Sequence, residues 1–147
     1  MKWIGITYAI QRGADFLGAF LAPKVKIPYF LFFPIDYLIS GTGLLLIFCV
    51  DNLWIRIVAY FLSFLVIGIS GNLFEKMVYD HYRYDRLAGI HTIIMTLYSL
   101  CGVLFLIIPI YFNHILRLAI LFNVLTILFG LVLLLHYYFT ARSSKTA

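Results

Sequence analysis

The sequence predicts an all-α integral membrane protein: four transmembrane helices as two antiparallel hairpins, preceded by an interfacial amphipathic N-terminal helix. Three observations carry this. First, 64% of the 147 residues are hydrophobic and 12% charged, whereas soluble domains are about half apolar and a quarter charged. A chain of this size hides only about 70% of its surface on folding, too little for such a composition in water. Second, four stretches reach the roughly 20 apolar residues that a membrane-crossing helix needs. Third, the cationic residues gather on one side of those stretches, as the positive-inside rule requires. A soluble monomer, a disordered chain and a coiled coil are excluded on composition. With Cys49 and Cys101 alone, so is a disulfide scaffold.

Residues 1–27 read as the interfacial segment. Tyr8, Gln11, Arg12 and Asp15 recur at spacings of three and four, forming one narrow polar stripe, and Trp3, Ile4, Ile6, Ile10, Phe16 and Phe20 cover most of the rest. Arg12 and Asp15 stand at i, i+3, a pairing distance. They also interrupt the apolar run that a cleaved signal peptide needs. Pro23 ends the segment, and Lys24 and Lys26 mark the water boundary. The expectation is a helix lying flat at the membrane surface, with docking on another subunit as the competing reading.

Residues 28–139 form the bundle, with spans at 28–50, 54–74, 91–112 and 115–139, and residues 140–147 are a short polar tail. The joins Asp51-Asn52-Leu53 and Asn113-His114 force antiparallel neighbours. A longer polar loop, Glu75 to Ile90, links the hairpins. Lys2, Arg12, Lys24, Lys26, Lys76, Arg83, Arg86, Arg142 and Lys145 fall on one side; Arg56 and Arg117 fall on the other. This asymmetry places both termini in the cytoplasm or the matrix, in a bacterial or organelle inner membrane. It also accounts for the +5 net charge without nucleic acid. Anionic head groups suit the same charges.

Asp36 is the most informative residue. It lies about 12 Å along the first span from Pro28, where a charged Asp costs up to roughly 3 kcal/mol. It is therefore neutral, paired or facing a wet cavity. Ser40 and Gly43 continue its face, and Pro34 frees a backbone carbonyl near Phe30. Asp36, Asn72 and Glu75 are the candidate substrate or ion contacts. Gly68, Asn72 and Glu75 share one face of the second span, where small residues allow close helix approach and Asn bonds across the contact. Thr92, Thr96 and Ser99 on the third span, and Asn123, Thr126 and Gly130 on the fourth, form polar faces expected to meet protein rather than lipid. Thr hydroxyls of this kind bond back to their own helix.

His91 and His136 lie at similar depth, as a six-coordinate haem would need. Yet His136 points about 115° away from the Asn123, Thr126 and Gly130 face. No cofactor is therefore predicted, and His91, Tyr98 and His136 are kept as contacts for a haem or quinone alternative. Tyr79, Asp80, His81, Arg83, Asp85 and Arg86 alternate ring and charge, which describes a head-group or partner-docking loop rather than a metal motif. The sequence holds no G-x-G-x-x-G, P-loop, H-E-x-x-H or C-x-x-C motif, and no catalytic constellation is nominated.

Three functions remain. The leading one is a non-catalytic accessory subunit of a larger membrane assembly, with other membrane subunits and the bilayer as partners. The second is a small oligomeric transporter or proton-coupled permease using Asp36. The third is a haem- or quinone-associated anchor.

Overall fold

The computed structural model describes residues 2–111 and 114–143. It is all-helical over these residues, with five α-helices: α1 (Lys2–Leu21), α2 (Tyr29–Cys49), α3 (Leu53–His81), α4 (Tyr84–Tyr111) and α5 (Ile115–Ser143). A short 3₁₀ turn, Ala22–Lys24, follows α1, with Pro23 inside it. Four of the helices, α2 to α5, are long and apolar enough to cross a membrane. By length and composition the chain is a multi-pass membrane protein.

The predicted spans end where the structure ends them at the Asp51-Asn52 turn. There Asn52 caps α3: its Oδ1 accepts from the amides of Trp54 (2.9 Å) and Ile55 (3.3 Å), satisfying two of the free N–H groups of the first turn. Arg56 pairs with Asp51 at 3.0 Å and also donates to the Val50 carbonyl, closing the turn. At the other end the boundaries shift. The expected Glu75–Ile90 loop is mostly helix, because α3 continues to His81 and α4 starts at Tyr84. A polar sequence stops a span, but it does not stop a helix whose backbone bonds are already paired.

The helices pack as a row in the order α1, α3, α2, α5. α2 and α3 run antiparallel along their length. Phe33 meets Phe74, Ser40 meets Ser63, and Gly43 meets Ala59 and Ser63. α5 is antiparallel to α2, with Gly41 against Asn123 and Thr126, Gly130 against Pro34 and Tyr37, and Phe30 against Tyr137. The Asn123, Thr126 and Gly130 face therefore does meet protein. The contact expected between the third and fourth spans is slight. α4 and α5 touch through Phe105 and Phe122, 5.1 Å between ring centres, and α4 lies only loosely on α3. Thr92, Thr96 and Ser99 are exposed rather than facing the bundle, and the two Thr hydroxyls donate to their own helix.

α1 departs most from expectation. It does not lie across the end of the bundle. It runs lengthwise along α3 and parallel to it, from Gln11 beside Tyr60, through Asp15 and Gly18 beside Gly68, to Ala22 beside Ile69 and Leu73. Two glycines set this approach. A Cβ on Gly18 would sit 2.5 Å from the Leu65 carbonyl oxygen, and one on Gly68 would sit 2.9 Å from the Asp15 Cα. Its polar and small residues, Gln11, Ala14, Asp15 and Gly18, face α3, while Ile4, Phe16 and Phe20 are exposed. An amphipathic helix on a membrane surface turns its polar stripe to water. Here half of the stripe, Gln11 and Asp15, turns to protein while Tyr8 and Arg12 stay exposed, and small residues make the contact as they do between helices within a bilayer.

Candidate functional site

The loose seating of α4 opens the bundle. Two adjoining cavities flank the half of α3 nearer His81. One, of about 620 Å³, lies among α2, α3, α4 and α5 and is lined by Asp36, Tyr37, Ser40, Ser70 and Tyr98 among others. The second, of about 650 Å³, lies between α3 and α4, with Asp15 of α1 on its edge, and is lined by Asn72, Glu75, His91 and Tyr98 among others. Ile67, Gly71, Phe74 and Tyr98 border both.

Asp36 is placed by α2 at 7% exposure. Helix geometry puts Ser40 one turn further on, and its Oγ donates to the Asp36 backbone carbonyl at 2.6 Å. The hydroxyls of Ser40 and Ser70 stand beside the carboxyl. Even so, Asp36 Oδ1 is buried and has no hydrogen-bond partner among the described residues. Buried polar atoms are nearly always bonded, and an orphaned one costs about 1–3 kcal/mol. A charged, unpaired carboxylate costs far more. A proton on the carboxyl removes that charge cost.

The other expected residues divide. Glu75, Asn72 and His91 converge on the second cavity, and Tyr98 reaches both. Asp36 and Glu75 line different cavities. Asn72 does not bond across a helix contact, since its Nδ2 donates to the Gly68 carbonyl of its own helix at 2.8 Å. His136 lines neither cavity and is exposed on α5, so the structure does not bring it to His91. Of the expected docking loop, Tyr79, Asp80 and His81 are the last residues of α3, and Asp85 and Arg86 lie in α4. Asp80 accepts from the Tyr29 hydroxyl at 3.2 Å, and Arg83 pairs with Asp85 at 3.6 Å on the exposed surface.

Ser70, Phe33, Phe74 and Phe129 belong to the Asp36 cavity and were not singled out from sequence. Their signal is weak: each is an ordinary residue of an apolar run, and only the packing of four helices brings them together. No protein-family model, curated protein or solved structure matches the chain.

Proposed function

We propose that this chain is a small transporter or proton-coupled permease, working as an oligomer, in which Asp36 takes up and releases the transported charge. The observation that supports this is the orphaned Asp36 Oδ1 on a helix bordering an open cavity. An acid kept inside a span without a counter-charge lowers stability, and ionisable groups at such positions mark ion and proton pathways. Glu75, Asn72 and His91 line the adjoining cavity, toward the end of α3 that carries most of the Lys and Arg. They give the charge a polar route to water on that side. In proteoliposomes under an imposed pH gradient, Asp36→Asn is expected to abolish flux while expression and monodispersity are retained. Flux equal to wild type in that variant overturns the role of Asp36.

A second reading, an accessory subunit, is favoured by α4. The membrane-crossing window of this helix buries 0% of its residues against the rest of the chain. Another membrane chain seated on α4 would supply the missing contacts. Purification in a mild detergent would then recover the chain with a stoichiometric companion. A folded, active particle made of this chain alone removes that reading.

A further inference from the structure

Building on the Asp36 reading, we infer that the paired cavities bind a lipophilic organic cation, which takes the place of the proton on Asp36. Three features of the lining point to that class of ligand. The first is charge. Asp15, Asp36 and Glu75 border the two cavities, and no Lys or Arg is among the described lining residues. Asp15 has Arg12 at 3.9 Å, so the negative potential rests on Asp36 and Glu75, strengthened by the low dielectric of the surroundings. The second is the surface. Phe33, Tyr37, Phe74, Tyr98 and Phe129 present aromatic rings around Asp36. Ring faces attract cations, more so when both are out of water. The third is size and access. Ligand pockets run to about 300–1,000 Å³. Cavities of about 620 and 650 Å³ that share a border suit an apolar body carrying a single fixed charge. α4 rests so lightly on α3 that entry does not require breaking a packed core.

An anion meets acidic side chains with no Lys or Arg in the described lining to receive it, and a hydrated metal ion meets a largely aromatic wall. Among the described residues there is also no group of three His, Cys, Asp or Glu side chains that would hold a metal. A fixed organic cation satisfies both the charge and the surface. The exchange balances: the Asp36 carboxyl gives its proton to water, and the positive charge of the ligand replaces it.

The polar groups lining the Asp36 cavity are Tyr37 and Ser40 on α2, Ser70 on α3, Tyr98 on α4, and Asn123 and Thr126 on α5. Asp15, Glu75 and His91 line the neighbouring cavity. Affinity for the cation should therefore rise with pH, by about tenfold per unit while Asp36 is mainly protonated, and one proton should leave per cation bound.

The test uses the full chain in detergent, with tetraphenylphosphonium as probe and tetraphenylborate, of the same shape and opposite charge, as control. Saturable binding of the phosphonium, absence of saturable borate binding and release of one proton are expected. Asp36→Asn should remove the proton release and weaken binding at least about tenfold. Tyr98→Ala, on the loosely packed α4, should weaken binding several-fold without touching the α1, α3, α2, α5 row, so it reports even if the aspartate variant does not fold. Equal binding of both probes, no binding of either, or a pH dependence that survives Asp36→Asn overturns the inference. If the phosphonium fails to bind but proteoliposomes still show Asp36-dependent proton flux, the ligand class falls and the transport reading stands. If that flux is also missing, both fall.

Discussion

Asp36 has no counter-charge, and this fixes what its replacement does to the fold. Removing one partner of a buried ion pair costs about 3–5 kcal/mol, because the other charge is left stranded. Asp36→Asn strands no charge, and its amide keeps an oxygen for the Ser40 and Ser70 hydroxyls beside it. Its thermal unfolding midpoint in detergent should stay within a few degrees of wild type. A drop equivalent to the loss of a buried ion pair would reveal a structural partner. At this scale the sequence was informative where chemistry is rare. One acid in an apolar run is conspicuous, and its neighbour Ser40 follows from helical spacing. Ser70 was not legible. It lies 34 positions away, and nothing in either run states which faces of α2 and α3 meet.

Between helices, small residues decide the contacts. Ser63, fully buried, donates to the Ala59 carbonyl at 2.8 Å and lies 3.4 Å from the Ser40 carbonyl oxygen, across from Gly43. Gly18 and Gly68 do the same for α1 and α3. A leucine at position 18 would drive its side chain into the α3 backbone, where a carbonyl oxygen already stands 2.5 Å from the Cβ position. Overpacking of this kind costs about 1–3 kcal/mol, often more against backbone. Gly18→Leu should therefore detach α1. A short bismaleimide should link Gln11→Cys to Tyr60→Cys in an otherwise cysteine-free chain and fail to do so once Gly18→Leu is added. Undiminished linking would show that the glycine does not set the contact. The helices themselves were legible because apolar runs of sufficient length have few other uses. The seat of α1 was not, because an amphipathic pattern gives the width of a stripe but not the surface that receives it. Water and a neighbouring helix both accept Gln11 and Asp15.

Across the whole molecule, direction alternates along the row except at one place. α2 is antiparallel to both α3 and α5, so α3 and α5 point the same way, and α1 points with them. The start of α1 therefore lies at the Asp51 end and the close of α5 at the His81 end. If the bilayer follows the row, the two tails emerge on opposite faces, contrary to the expectation from cationic residues alone. In that arrangement Lys2 and Arg12, assigned to the cationic face as part of a surface helix, lie toward the other face. Lys24, Lys26, Lys76, Arg83 and Arg86 still mark one face without them. Reporter fusions at the first and last residues should report different compartments. Matching reports would return α1 to the membrane surface.

The row also has an order in time. A ribosome delivers α1 first and α2 next, yet α1 docks on neither water nor α2 but on α3, the third helix made. Until α3 emerges, a helix carrying Arg12 and Asp15 has no groove to enter. Docking of the first segment thus waits on synthesis of a later one, and a nascent chain stopped before Gly68 should leave its leading helix accessible to aqueous reagents.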